Sequence, residues 1–342
     1  MLAILADDLT GALDSAAPFA ARGLRADIAL GPGAVDEIVA DQPDVISINL
    51  NTREISADEA TAATAAAISL LPSGTRLFKK VDSRLKGNIV AELDAISYSR
   101  ALAAPAIPAF ERIVEAGHVT GHGIDTPISI ANRFGPHFAR LIAPDIRTYA
   151  DIEDALDTAE RDGTDLLIGA RGLAEALAAR MTKNAPSRVA TVPAGRAIFV
   201  IGSRDPITLA QIDALRAGID LKYVAAPNGN IDAGLKAEAA LTLVQATPGS
   251  QDVNPQVAAD ALGEGLKSVL CRNDDTLLLS GGATADAVMR SLGVSRLHLH
   301  GECLPGLGVA STRGRTIIAK SGGFGHSDTL KIIADMVLRK AH

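Results

Sequence analysis

Two adjacent carboxylates, Asp7 and Asp8, follow directly on the apolar run Leu2-Ala3-Ile4-Leu5-Ala6 and precede Leu9-Thr10-Gly11-Ala12. An apolar run that breaks into acid, then into small residues at helical spacing, reads as a buried strand, a turn and a helix. Ligands of open α/β sheets bind just beyond the carboxyl ends of strands, which is where this pair stands. Adjacent carboxylates suit sugar hydroxyls, and one of them can take the proton of a reacting hydroxyl. The plainer use is capping, since an aspartate ahead of a helix accepts from its free amides and suits its dipole. One aspartate would suffice for that.

Other strand-end loops of the first half carry charged side chains in the same way. Asp44–Asn49 runs into Asn51-Thr52-Arg53-Glu54, and Arg76–Val81 runs into Asp82-Ser83-Arg84-Leu85-Lys86-Gly87-Asn88. Ala101–Pro105 leads on to Arg112. Arg53, Lys80, Arg84, Lys86 and Arg112 suit a carboxylate-bearing ligand, because arginine can grip a carboxylate through two parallel N–H bonds. The second half differs in kind. Its loops are Gly202-Ser203, Gly281-Gly282-Ala283-Thr284 and Gly322-Gly323-Phe324-Gly325. Glycine-rich turns between a strand and a helix let backbone amides close on a phosphate. A single one is an ordinary turn; their recurrence after strand after strand favours a nucleotide site. No G-x-x-x-x-G-K-[ST] loop occurs, no G-x-G-x-x-G opens the first strand–helix unit, and protein-kinase signatures are missing. Phosphoryl transfer nonetheless needs only a phosphate cradle, charge neutralisation and a positioned hydroxyl.

The elements that must hold these loops follow from the patterning. Strand-like apolar runs alternate with Ala-rich helical stretches, which favours an α/β fold of largely parallel sheets flanked by helices. Helices are expected from Leu9 to about Arg22, from Ser56, where Ser56 and Glu59 have capping-box spacing, to about Leu71, and over 151–161 and 172–182. Gly117 to Gly123 reads as a turn or hairpin tip. Asn184 to Arg196 is poor in large apolar residues and carries two prolines and a glycine, so it reads as a linker. Residues 1–190 then form an acceptor-binding domain and 197–342 a nucleotide-binding domain. The second half restarts with the strand Ala197–Ile201, continues through Thr276–Leu279 and Arg315–Lys320, and closes with an amphipathic helix from about Asp328.

Composition narrows the partners. The chain has 342 residues, 47% of them hydrophobic, which is ample for a sizeable core. A net charge of −7, 3% aromatics and no tryptophan argue against a nucleic-acid partner. The opening apolar run is too short for a signal peptide, and no stretch reaches the ~20 apolar residues of a membrane span. A cytoplasmic protein with a small-molecule partner is expected; homo-oligomerisation stays open. Cys271 and Cys303 are the two cysteines, without C-x-x-C spacing, and read as buried small hydrophobes. His118 and His122 are four apart but lie among glycines, and His298 and His300 share a strand face without a third ligand nearby, so no dedicated metal site is expected. Mg2+ riding on a nucleotide, with few protein ligands, fits better.

Taken together, Ala6-Asp7-Asp8-Leu9-Thr10-Gly11-Ala12, Lys79-Lys80-Val81-Asp82-Ser83-Arg84-Leu85-Lys86-Gly87-Asn88, Pro105-Ala106-Ile107-Pro108, Ser280-Gly281-Gly282-Ala283-Thr284-Ala285 and Lys320-Ser321-Gly322-Gly323-Phe324-Gly325 resemble, in this order, the motifs of the four-carbon acid sugar kinases. The resemblance covers nearly the whole chain. It implies an N-terminal acid-sugar domain, a C-terminal ATP domain, an active-site cleft between them, and phosphorylation of the terminal (4-)hydroxyl of a tetronate or 3-oxo-tetronate. It implies ATP against Ser203, Gly281, Gly282, Ala283, Thr284, Gly322 and Gly323, and the acid sugar against Asp7, Asp8, Lys80, Asp82 and their neighbours. On that basis Lys80, Arg84, Lys86 and Arg112 hold carboxylate and developing phosphate charge, Asp7, Asp8 and Asp82 fix hydroxyls, and Asp8 is the general base. The departures fall on the acceptor side. Leu13 stands where the family usually has Asn, Asp-Ser-Thr-Leu-Arg-Gly-Asn reads Asp82-Ser83-Arg84-Leu85-Lys86-Gly87-Asn88, and Glu-Asn-Gly-Arg reads Ala109-Phe110-Glu111-Arg112. The chain is also shorter than usual between Gly123 and Ile152. Two rival readings remain: an NAD(P)-dependent hydroxy-acid dehydrogenase, disfavoured by the missing fingerprint, and a non-catalytic sugar-acid or nucleotide sensor.

Overall fold

Leu2–Ala6 is buried at every position, as a parallel strand covered on both faces by helices must be. It lies inside an all-parallel sheet with the order Ala26–Ala29, Val45–Asn49, Leu2–Ala6, Arg76–Lys80, Leu166–Gly169, Ala101–Ala104 and Leu141–Ile142. In this computed structural model, which describes residues 1–232, 235, 238–269 and 275–339, the chain forms two compact units, Met1–Arg188 and Val189–His342. No helix among the described residues is long and apolar enough to cross a membrane.

In the first unit the register is what matters for chemistry. Ala6 pairs with Asn49 on one side and Lys80 on the other, and Lys80 and Ala104 both pair with Gly169. Five strands therefore reach the same row before their loops begin. The three 13-residue helices of this unit start at side-chain caps. Asp8 caps Leu9–Ala21 by accepting from the Gly11 amide, Ser56 and Glu59 form a reciprocal capping box on Ala57–Ser69, and Thr148 with Asp151 does the same for Tyr149–Arg161. The stretch Gly117–Gly123 differs from the turn read in sequence. Ala116 and Gly117, both at positive φ, make the turn, while His118–Gly121 is a strand of a small antiparallel sheet with Arg112–Glu115 and Ile128–Ser129. Its apolar anchor is one residue, Val119, buried opposite Val114. One buried residue among glycines leaves no alternating pattern to read.

The second unit carries a parallel set, Lys222–Pro227, Leu241–Thr247, Ala197–Ile201, Thr276–Ser280 and Arg315–Lys320, continued by antiparallel Leu307–Thr312 and Arg296–Leu304. Phe199, Leu243, Leu278 and Ile318 pack with Ile212 and Leu215 from Pro206–Gly218 and Ile333 and Val337 from Thr329–Leu338. Register again aligns the strand ends, with Ile201 opposite Ser280 and Ser280 opposite Lys320. Cys303 is buried and unpaired, and burial pushes its thiol up to about 11, as an inert small hydrophobe requires. Cys271 lies outside the described residues. Between Met181 and Ala197 the chain has no helix or strand. His298 and His300 do sit on one strand, edge to face at 5.1 Å, and His300 Nε2 is 2.8 Å from Ser311 Oγ.

Candidate functional site

Past the aligned row of the first unit, charged side chains crowd together. Asp7 is 2% exposed and is gripped in bidentate fashion by Arg53, Nε to Oδ2 at 2.7 Å and Nη2 to Oδ1 at 3.0 Å. The third guanidinium nitrogen of Arg53 donates to Asp8 Oδ2 at 2.6 Å. Asp8 thus both caps and coordinates. Its Oδ1 accepts from the Gly11 amide at 2.7 Å, and its Oδ2 also accepts from the Thr10 hydroxyl at 2.8 Å. Burial pushes the Asp7 carboxyl up, but Lys79, Arg53 and Lys80 outweigh it and hold the group below the ordinary aspartate value. Burial would likewise lower Arg53, and its hydrogen bond to Asp7 and the charges of Asp8, Asp7 and Asp82 raise it instead.

Lys79 and Lys80, neighbours on one strand, point to opposite faces and have different fates. Lys79 is fully buried and paired with the equally buried Glu92 at 3.0 Å, with further bonds to the Leu5 and Lys80 carbonyls. The Thr52 hydroxyl donates to the other oxygen of Glu92, so this pair ties the 50–55 loop to the sheet. Lys80 is 5% exposed, yet its ammonium makes no hydrogen bond and no ion pair among the described residues. It lies beside Gly11, where a Cβ would come within 3.1 Å of Nζ.

The 82–88 loop closes over Asp7. Leu85 takes positive φ with its side chain buried, and Gly87 sits at φ +91° with its backbone against Asp7 and Arg53. Asn88 fixes the loop by donating to the Thr52 and Ile55 carbonyls, both at 2.8 Å. Asp82 accepts from the Arg84 amide through Oδ1 and leaves Oδ2 4.0 Å from Arg53. Arg112 binds the Ser83 hydroxyl and the His122 carbonyl. The Arg84 guanidinium converges on the same spot, since a Cβ on Gly123 would meet Nη2 of both arginines. Burial and the charge of Arg84 lower the Arg112 pKa, with the Asp82 carboxylate pulling the other way. Lys86 stands exposed on the same loop. The structure thus gathers Asp7, Asp8, Arg53, Lys80 and Asp82 tightly, brings Arg84 and Arg112 together alongside, and leaves Lys86 at the rim. Leu13 is buried in the helix that Asp8 caps.

In the second unit the small-residue loops meet. The Gly202 amide donates to Ser280 and the Gly281 amide to Lys320, lacing the strand ends together. A Cβ on Gly202 would fall 1.9 Å from Thr284 Oγ1, and one on Gly322 2.3 Å from Ser203 Oγ, so a side chain at either position would have to displace a hydroxyl of the cluster. Helix Gly282–Ser291 starts at Gly281 with no side-chain cap, which leaves its first amides open. Ser203, Gly281, Gly282, Ala283, Thr284, Gly322 and Gly323 therefore form one cluster, with Asp205 at the N-cap of Pro206–Gly218 against Gly323. Thr208, Gln211 and Lys320 are further buried polar groups at this cluster. Lys320 had a visible signal, a lysine ending an apolar strand ahead of Gly-Gly. Thr208 and Gln211 show only helical i, i+3 spacing. In the first unit the buried Lys79–Glu92–Thr52 set joins a strand, a helix and a loop that no sequence spacing connects.

Residues 2–133 match the family model of a sugar-binding N-terminal domain and residues 198–330 that of a nucleotide-binding C-terminal domain. The chain is similar to the D-threonate kinase of Cupriavidus necator, with 26% identity across 96% of this chain and 95% of that one. To the 3-oxo-tetronate kinase of Pseudomonas fluorescens it is 27% identical, with the same shares covered. Two solved structures share its fold at 20% identity: a Haemophilus influenzae protein (TM-score 0.69, covering 99% of this chain and 100% of that one) and a Salmonella typhimurium protein described as a putative tRNA synthase (TM-score 0.71, 96% and 97%).

Proposed function

We propose that this chain, which belongs to the four-carbon acid sugar kinase family, transfers a phosphoryl group from ATP to the 4-hydroxyl of a four-carbon acid sugar or close analogue. The observation that carries the reading is Lys80. A lysine only 5% exposed, whose ammonium reaches the site without a protein acceptor beside two carboxylates, suits a ligand that brings both an anion and hydroxyls.

In this reading Asp7 is an orienting group, because its side chain is 2% exposed against 20% for Asp8 and Arg53 clasps it in bidentate fashion. Asp8 takes the proton of the attacking 4-hydroxyl while Arg53 and the Gly11 amide hold its carboxylate in place. Asp82, with Oδ2 the least engaged carboxylate oxygen of the group, fixes a second hydroxyl. Arg84 and Arg112 take the acid-sugar carboxylate, with Lys86 at the rim, and Lys80 neutralises charge that develops on the transferred group. The open amides around Gly281, Gly322 and Gly323 fit the phosphates of ATP, and Mg2+ would neutralise those phosphates as the nucleotide's own counter-ion. Positioning and charge, rather than covalent chemistry, then supply the rate.

The test is ADP production by the full chain across a panel of D- and L-tetronates, 3-oxo-tetronates and longer or branched acids. The expected result is turnover of at least one four-carbon acid. Nucleotide binding with no turnover of any acid would favour a sensor instead.

A further inference from the structure

We propose that Lys320, together with Thr208 and Gln211, is a positioning residue for nucleotide binding: the three side chains clamp the carbonyls of the 321–326 loop from one side, so that its glycine amides are presented to the phosphates. The inference rests on the reading of this unit as the nucleotide site.

The geometry begins with an anomaly. Lys320 ends an apolar strand, is 1% exposed, and has no carboxylate within ion-pair distance among the described residues. Burying an unpaired charge is unfavourable unless every proton finds an acceptor. Here each does, with Nζ donating to the Ser321 carbonyl at 2.9 Å, the Gly322 carbonyl at 3.2 Å and Thr208 Oγ1 at 3.2 Å. The Thr208 hydroxyl passes its own proton to the Gly322 carbonyl, which therefore accepts twice. Further along, Gln211 Nε2 divides between the Phe324 carbonyl at 3.0 Å and the His326 carbonyl at 2.8 Å. The carbonyls of 321, 322, 324 and 326 are thus all held by one strand-end lysine and one helix. The amides of Gly322, Gly323 and Gly325 have no hydrogen-bond partner among the described residues. A peptide whose carbonyl is fixed inward turns its N–H outward, and consecutive amides so turned make an anion-binding nest. Lys320 acts through the loop and touches no ligand in this scheme.

The clamp carries a pH signature. The ammonium has three protons for three acceptors, whereas the neutral amine has two and a lone pair that faces a carbonyl. Burial pulls the Lys320 pKa down to about 8, with Asp205, at the N-cap of the facing helix, pulling the other way. On the loop itself the titratable side chain is that of His326, whose backbone carbonyl Gln211 holds. The clamp loosens as pH rises past 8.

Calorimetric titration of the full chain with Mg·ADP from pH 7 to pH 9.5 tests this, using the wild type, Lys320→Met, Thr208→Val and Thr208→Ser. The wild type is expected to bind about tenfold more weakly at the alkaline end. Lys320→Met should be weakened by a similar factor at pH 7 and be flat with pH. Thr208→Val should fall between, and Thr208→Ser, which keeps the hydroxyl, should follow the wild type. In turnover the KM for ATP should rise while the KM for the acid stays put. A flat wild-type profile, or Thr208→Val binding like the wild type, would overturn the clamp even if Lys320→Met failed to fold. No Mg·ADP binding by the wild type would overturn the nucleotide reading itself, and the clamp with it.

Discussion

Asp8 carries two duties that one substitution can separate. It caps the helix Leu9–Ala21 through Gly11, and it is the proposed proton acceptor. Asparagine caps as well as aspartate does, so Asp8→Asn keeps the helix start while removing the basic oxygen. We expect kcat to fall by about 100-fold or more, with the helix start kept and only a small drop in melting temperature from the lost Arg53–Asp8 ion pair. Wild-type turnover in that variant would take the base assignment away from Asp8 and leave Asp82, with its less engaged oxygen, as the next carboxylate to test. Asp7 makes a different prediction. Burial alone would raise it, but Lys79, Arg53 and Lys80 hold it below the ordinary aspartate range. A carboxylate with a lowered folded-state pKa contributes stability above the unfolded value of about 3.9, and that contribution is lost as pH falls through the folded value. Urea unfolding of the wild type and Asp7→Asn should therefore differ by a constant amount near neutrality and converge below about pH 4. A gap that stays constant down to pH 3 would mean that the Arg53 clasp does not stabilise the fold.

At the scale of elements, the site exists because five strand ends of the first unit finish in one row and their loops are then laced together. Gly87 is one close point of that lacing, directly against Asp7. It combines a φ of +91° with a backbone against Asp7 and Arg53, where a Cβ would lie 3.0 Å from Asp7 Oδ2. Gly87→Ala meets both a strained backbone and a displaced carboxylate, so it should destabilise the chain by about 1–3 kcal/mol. It should also raise the acceptor KM while leaving Mg·ADP affinity unchanged; an unchanged acceptor KM would detach the loop from the site. The strand-end rule explains what was legible in the sequence. Asp7, Asp8, Arg53, Lys80, Asp82 and the glycine loops all follow apolar runs, and position after a run is a one-dimensional property. What depended on the third dimension was not legible. Adjacent Lys79 and Lys80 look alike in sequence, and only the face each takes separates a buried ion pair from an open cation. Thr208 and Gln211 read as ordinary helix residues until the 321–326 loop folds against them. The Val114–Val119 pairing involves too few residues to leave a period.

For the whole molecule, the division of chemistry between halves is the main point: side-chain charge in Met1–Arg188, backbone amides in Val189–His342. The chain's net charge of −7 does not oppose an anionic ligand, since Lys80, Arg84, Lys86 and Arg112 concentrate positive charge locally. Each half should therefore respond to its own ligand. A ligand at about 100 times its Kd stabilises the state that binds it by about 2.7 kcal/mol, and amides that exchange only when that site opens slow by about 100-fold. Hydrogen–deuterium exchange with saturating Mg·ADP should slow the amides of 202–205, 281–285 and 321–325 and leave 7–11 and 82–88 at their unliganded rates. A turned-over acid sugar, added without nucleotide, should do the reverse. Protection of 82–88 by Mg·ADP alone, with 321–325 unaffected, would place the nucleotide on the cationic loops and exchange the roles assigned to the two halves. The two ligands together test one more consequence of the proposed reaction. In-line transfer requires the 4-hydroxyl to reach the terminal phosphate, so a non-hydrolysable ATP analogue plus acid should protect both sets of loops beyond the sum of the separate effects. Strict additivity would mean that binding in one half carries no information to the other.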